Sequence, residues 1–198
     1  MNSSNLKTFL TSNVDMDEEI IREHIENLRK VQVRKGNFLL RQGDVCKHSF
    51  FVEEGLLKYY SIDEKGKQHI LQFAPEGWFV VDRESAFFNQ PSQYFIEALE
   101  DSVVTMIDVD MFASLSLHNQ SFALFNNKLL HNHIRHLQNR INLLLSATAE
   151  ERYLDFIRIY PDLLLRVPQT LVASYLGITP ESLSRVRKDL ATKKHQKQ

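Results

Sequence analysis

The segment VPQTLVASYLGITPESLSRVRKDL, residues 167–190, decides how this chain is read. Pro168 suits the first turn of a helix, where its missing N–H costs nothing. Leu171, Val172, Tyr175 and Leu176 then give that helix an apolar face. Gly177 is placed to end it in the left-handed conformation. Ile178 plugs the angle to a second helix, whose start is marked by Thr179 as N-cap, Pro180 as first residue and Glu181 as the acid that the dipole favours. Leu183, Val186 and Leu190 are the apolar face of that second helix. Capping and periodicity together predict a helix-turn-helix.

The other face of the second helix carries the chemistry. At about 100° per residue, Glu181, Ser184, Arg185 and Lys188 fall on one stripe opposite the apolar residues. Arg can fork to guanine O6 and N7, Glu can accept from cytosine N4, and Ser suits base or phosphate in the major groove. Six Lys/Arg and one Asp lie between Arg185 and Gln198, in a chain whose net charge is −1. Positive charge is thus concentrated where phosphate contacts would be made.

Upstream, residues 109–146 have a helical pattern, with no glycine between Gly77 and Gly177. Leu130, Leu137 and Leu144 recur every seven residues, and Ile134 and Ile141 follow at four. Phe122, Phe125 and Leu129 extend the stripe toward the N-terminal side. A helix from about Asn119 to Ser146 would be ~40 Å long. Its seam fits a two-stranded coiled coil, hence a homodimer; a helix packed on its own domain is the plainer alternative. Ala147–Ile159 reads as a further amphipathic helix, ended by Tyr160-Pro161.

Residues 31–108 hold five of the six glycines, Gly36, Gly43, Gly55, Gly66 and Gly77. Between and after them lie β-rich stretches: Phe38–Leu40, Phe50–Val52, Leu56–Ile62, His69–Phe73, Trp78–Val81, Phe95–Leu99 and Val103–Ile107. Evenly spaced glycines between β-branched and aromatic runs signal antiparallel hairpins, and so many short strands suggest a closed roll or jelly roll. Residues 1–28 read as helical, with Asp15 and Glu18 as a capping box before Ile20, Ile21, Ile25 and Leu28.

Composition excludes several classes. Charges balance at 24 Lys+Arg against 25 Asp+Glu, which rules out a uniformly basic scaffold. No apolar run approaches the ~20 residues of a membrane span, and the N-terminus has no basic start followed by a long apolar stretch. No membrane partner and a cytoplasmic location are therefore expected. A single cysteine, Cys46, excludes a disulfide framework and any iron–sulfur or zinc site built on several cysteines of one chain.

The whole order resembles the CRP/FNR family of bacterial transcription regulators. The residues that carry the likeness are FLLRQGD (38–44), FFVEEGLLKYY (50–60), GWFVVDRESAFFNQPSQYFIEA (77–98) and LVASYLGITPESLSRVRKDL (171–190). The resemblance implies an α+β chain in three parts. These are an effector-sensing, cyclic-nucleotide-binding-type β-roll with flanking helices (1–117), a long dimerisation helix (118–146) and a winged-helix-type helix-turn-helix (147–198). It implies double-stranded DNA, a second copy of the chain and RNA polymerase as partners, and no enzymatic activity. Glu181 and Arg185 match the family's base-reading positions, and Gln169 and Thr179 its phosphate-contacting ones. Pro180 replaces a further arginine of the cyclic-AMP-responsive members, so a different target sequence is expected. The usual wing after Leu190 is reduced to ATKKHQKQ, which reads as a truncated wing replaced by a flexible basic tail.

In the roll, the family's Gly-Glu and Arg-Ser cassette for cyclic AMP is replaced by Val81-Asp82 and Ser92-Gln93. Ser92 has no charge to neutralise a phosphate. Asp82 can still accept from a hydroxyl, and Arg83, as the next residue of a strand, faces the other way. The effector expected at Val81, Asp82, Arg83, Ser92 and Gln93 is therefore a small molecule other than cyclic AMP, or none.

Other signals point nowhere sharper. His133 and His136 share a helix face but lack an acid or cysteine in the next turn, so no metal site is expected. The His-x-His of a cupin belongs on strands, and here it lies in the long helix. Haem ligation by Cys46 or His48 is disfavoured, and no Gly-x-Ser-x-Gly, phosphate-loop or His-Glu-x-x-His motif is present. The competing reading is a cyclic-nucleotide-fold ligand-binding or interaction protein that no longer reads DNA. Sequence-selective duplex binding that depends on Arg185 separates the two.

Overall fold

In the computed structural model, the structure describes residues 5–195. The chain divides into two compact units, the first comprising residues 1–62 and 71–131 and the second 63–70 and 132–198.

The first unit opens with two helices, α1 (Asn5–Asn13) and α2 (Glu18–Ile25). Asp17, rather than Asp15, caps α2, its carboxylate accepting the Glu19 N–H at 2.8 Å. The strands follow as β1 (Arg29–Val33), β2 (Phe38–Leu40), β3 (His48–Glu54), β4 (Leu57–Ile62), β5 (Gln68–Ala74), β6 (Phe79–Val80), β7 (Phe95–Ala98) and β8 (Ser102–Asp108). They form two four-stranded antiparallel sheets, ordered β1-β8-β3-β6 and β2-β7-β4-β5. A six-residue helix, α3 (Arg83–Phe88), interrupts the strands, and α4 (Val109–His118) follows them.

The glycine turns expected from sequence all have positive φ. At Gly55 the requirement is steric as well as conformational. Its φ is +90°, and a Cβ there would run into the Ser102 hydroxyl and the Asp101 carbonyl. Apolar cores form within the first unit. One lies in the roll around Phe50, Val52, Leu57, Ile96 and Val104. Another seals Leu6, Leu10 and Ile21 against Phe51, Ile107, Phe122 and Phe125, so the N-terminal helices cover the outer side of β3. Buried Glu53 ties these parts together. It accepts from the Asn5 N–H at 2.7 Å and the Thr105 hydroxyl at 2.7 Å, and its carboxylate lies 3.3 Å from Lys30 Nζ.

The long helix α5 (Gln120–Ser146) starts where the Asn119 side chain accepts the Phe122 N–H. Through His131 it belongs to the first unit, and from Asn132 to the second. Only Ala147 and Thr148 separate it from α6 (Ala149–Ile159). Thr148 starts α6 with a capping box, its hydroxyl accepting the Glu151 N–H while Glu151 accepts the Thr148 N–H at 2.8 Å. After α6 come α7 (Leu163–Arg166), α8 (Gln169–Leu176) and α9 (Pro180–His195).

Pro168 turns out to be the N-cap of α8 rather than a residue of its first turn. The expected flexible tail is helical from Ala191 to His195, because Ala and Lys sustain a helix and Lys193 reaches Glu150 of α6 at 2.8 Å. Residues 196–198 of that tail lie outside the described residues. No strand follows α9 among the described residues.

Candidate nucleic-acid interface

Helices α8 and α9 are joined as the sequence suggests. Gly177 has φ +65°, and its N–H bonds back to the carbonyls of Ala173 and Ser174. The Ile178 N–H closes on the Ala173 carbonyl at 3.0 Å. The Thr179 hydroxyl accepts the Ser182 N–H at 3.2 Å, which makes Thr179 the N-cap of α9. Val172, Ala173, Tyr175, Leu176 and Leu183 are buried, while Val186 and Leu190 are half-buried. Beneath the pair, Tyr175 packs against Phe156 in a tilted contact and Tyr160 edge-on, with ring centroids 5.4 and 5.7 Å away.

This packing leaves one face of α9 free. Glu181, Ser184, Arg185 and Lys188 are all exposed on it, as are Gln169 at the start of α8 and Thr179 at the turn. The Glu181 carboxyl is held below its ordinary pKa, first by its own backbone N–H and then by the Thr179 hydroxyl. It is therefore ionised at neutral pH and acts only as an acceptor. The stripe thus presents one fixed acceptor, one hydroxyl and two cations from a single rigid element.

The long helix also presents an exposed face. Leu130, Ile134, Leu137, Ile141 and Leu144 are 39–56% exposed, at the spacing of a coiled-coil seam.

The residues proposed for an effector are split. Asp82 is not a strand residue, because β6 ends at Val80. Asp82 instead caps α3, its carboxylate accepting the Ser85 N–H at 3.3 Å. Arg83 is the exposed first residue of that helix, Val81 is half-buried and Gln93 is exposed. Ser92 is buried, and its hydroxyl bonds to the backbone N–H and carbonyl of Tyr94. Around buried Asp82 the structure gathers residues that sequence reasoning missed. Tyr59 and Tyr94 pack with ring centroids 5.0 Å apart. Burial, and then the Asp82 charge, push the Tyr59 phenol far above its ordinary pKa. The Cys46 N–H bonds to the Ser85 hydroxyl at 2.9 Å, and burial raises its thiol pKa. The separation of Tyr59 in β4 and Tyr94 just before β7 carried no signal that they would meet.

Ser92 carries no charge, and the Ser92 hydroxyl and Asp82 carboxylate are already engaged by Tyr94 and by the N-terminus of α3. Among the described residues, no group of three or more His, Cys, Asp or Glu is placed to hold a metal ion, and no helix is long and apolar enough to cross a membrane.

Comparison with known proteins gives a consistent frame. A family profile described as cyclic nucleotide-binding domain matches residues 30–119. The chain is similar to the fumarate and nitrate reduction regulatory protein of Yersinia pestis, 30% identical over 177 residues that cover 83% of this chain and 70% of that one. It is also similar to the anaerobic regulatory protein of Pasteurella multocida (strain Pm70), 29% identical over 177 residues, with 83% of this chain and 64% of that protein covered. Among solved structures, FixK2 from Bradyrhizobium japonicum superposes with a TM-score of 0.72 at 20% identity, covering 84% of this chain and 85% of that one. A CooA mutant from Carboxydothermus hydrogenoformans gives 0.69 at 19% identity, covering 97% and 86%. These two likenesses are of fold alone.

Proposed function

The chain belongs to the CRP/FNR family of transcription regulators, and from that premise we propose that it is a homodimeric reader of palindromic DNA. In this reading Glu181, Ser184 and Arg185 contact base edges in the major groove, while Gln169, Thr179 and Lys188 contact phosphates. The observation that carries it is the exposed polar and cationic stripe on a helix whose opposite face is buried. Pairing along Leu130, Ile134, Leu137, Ile141 and Leu144 would present two such helices to half-sites about 34 Å apart. Residues 147–198 are the DNA-binding part, 118–146 the dimerisation helix and 1–117 the effector-sensing roll. The protein acts in the cytoplasm, with RNA polymerase as a further partner. Its effector, if it uses the roll, is a small molecule other than cyclic AMP that meets Asp82, Tyr59 and Tyr94.

The test is duplex selection from a random pool with the full chain, followed by binding of the selected and a scrambled duplex across a salt series. Log affinity should fall linearly with log salt for both, and the selected site should bind more tightly. Arg185→Ala should cost about 1–3 kcal/mol of that preference. Unchanged selectivity in this variant overturns the assignment of the reading face. If no duplex is preferred at all, the chain is instead a ligand-binding or interaction protein on the same fold.

A further inference from the structure

A cavity of about 250 Å³ lies inside the second unit, walled by α5, α6 and α8. Its polar lining is His136 and Arg140 from α5 and Arg152, Asp155 and Arg158 from α6, with Tyr175 of α8 as one wall. Three guanidinium groups therefore face one carboxylate, and burial followed by Arg140 keeps His136 below its ordinary pKa and neutral.

Two of the guanidinium groups are fixed in place. Arg140 lies over the Tyr175 ring, 3.6 Å from its centroid, and its Nη2 donates to the carbonyls of Ile70 at 2.8 Å and Tyr175 at 3.0 Å. Arg152 donates from Nη1 to the Leu176 carbonyl at 2.8 Å, the last residue of α8. The Arg152 Nε–H, however, is buried with no acceptor among the described residues. Arg158 is exposed at the mouth and pairs with Asp155. A buried charged donor without an acceptor is rare in folded proteins, and in a cavity of net positive charge it marks where an anion would bind.

We propose that this cavity is a binding site for a compact polyanion, the phosphate or carboxylate groups of a small molecule, with the Arg152 Nε–H as inner donor and Arg158 at the mouth. The cavity volume suits a ligand below drug size. Because Arg140 and Arg152 are already oriented by backbone carbonyls, little ordering is lost on binding. The ligand would join α5, α6 and α8, and so hold the first helix of the helix-turn-helix to the long helix. The site is separate from the roll, and its occupancy is measured without DNA, so it stands or falls apart from the DNA-reading proposal.

The experiment is calorimetry and thermal melting of the full chain with sodium pyrophosphate and with sodium citrate at constant ionic strength. Saturable binding of either anion at one site per chain, with a rise in Tm, is expected. Pyrophosphate alone identifies a phosphate ligand and citrate alone a carboxylate, and each supports the site. Arg152→Lys keeps the charge but removes the Nε–H, and Arg158→Gln removes the outer cation; each should weaken binding at least tenfold. Arg158→Gln decides the matter if the other variant does not fold, because Arg158 is exposed and pairs with Asp155 one turn away in the same helix. No saturable binding of either anion overturns the proposal. So does binding that survives the cavity substitutions, or binding that Arg185→Ala abolishes, which would place the anion on the reading helix.

Discussion

Lys58 Nζ lies 3.1 Å from the Glu97 carboxylate, and the two residues sit opposite each other in the pairing of β4 with β7. Both side chains are largely withdrawn from water, at 5% and 16% exposure. The Tyr60 hydroxyl also donates to Glu97 at 2.6 Å, and Lys58 lies over the Tyr60 ring. Such a pair adds little net stability beside apolar residues of the same size, but losing one partner strands the other. Lys58→Met should destabilise the protein by about 3–5 kcal/mol in urea denaturation. Adding Glu97→Gln to it should recover part of that loss.

Gly177 closes the turn of the helix-turn-helix with φ +65°, and a Cβ there would lie 3.1 Å from Leu144 Cδ2. An L-residue in the left-handed region costs roughly 1–2 kcal/mol. Gly177→Ala should lower stability by about that amount, while circular dichroism shows the same helix content. Gly55→Ala should cost more. There the φ strain adds to overpacking of about 1–3 kcal/mol against the backbone of Asp101 and Ser102.

The seam on α5 gives a direct test of dimerisation. Ile134 and Ile141 are 41% and 56% exposed, so charging them should not disturb a single copy's fold. Sedimentation equilibrium should find a dimer for the native chain and a monomer for the Ile134→Lys/Ile141→Lys variant at the same concentration. A monomeric native chain at micromolar concentration would remove the two-reader geometry.

Calorimetry with cyclic AMP should give no saturable heat in the micromolar range. Ser92 supplies no charge, and its hydroxyl is held by Tyr94. A clear one-site isotherm would reverse the reading of the roll.

His136 makes stability depend on pH in a defined direction. Burial lowers its pKa below the ordinary value of about 6.5, Arg140 and Arg158 lower it further, and Asp155 opposes them. The unfolded chain therefore binds a proton more readily than the folded one, and stability rises with pH through this interval. The contribution is complete above about pH 6.5 and is lost as pH falls toward the folded value. The urea midpoint should drop between pH 7.5 and 5.5 more for the native chain than for His136→Gln.

What was legible in the sequence follows from which forces act locally. The strand centres and the turn at Gly177 were readable because a positive-φ glycine and a capping threonine settle their geometry within a few residues. Strand β1 was not, since Arg29, Lys30 and Gln32 are exposed on a sheet edge and its apolar content is only Val31 and Val33. Helix α3 escaped because six residues are too few to show a period, and with it went the role of Asp82 as a cap. The exposed polar stripe of α9 was legible because four residues on one helix share a face by arithmetic alone. The cavity was not, because Arg140, Arg152 and Tyr175 meet only through packing of three helices.

Between Ser146 and Ala149 the backbone has two residues, and one of them is locked by the Thr148–Glu151 box. Ala147 is still tied to α5, its N–H donating to the Leu143 carbonyl at 3.1 Å. The direction in which α6 leaves α5 therefore rests on very few backbone torsions, so a change at either of these two residues would re-aim every helix that follows.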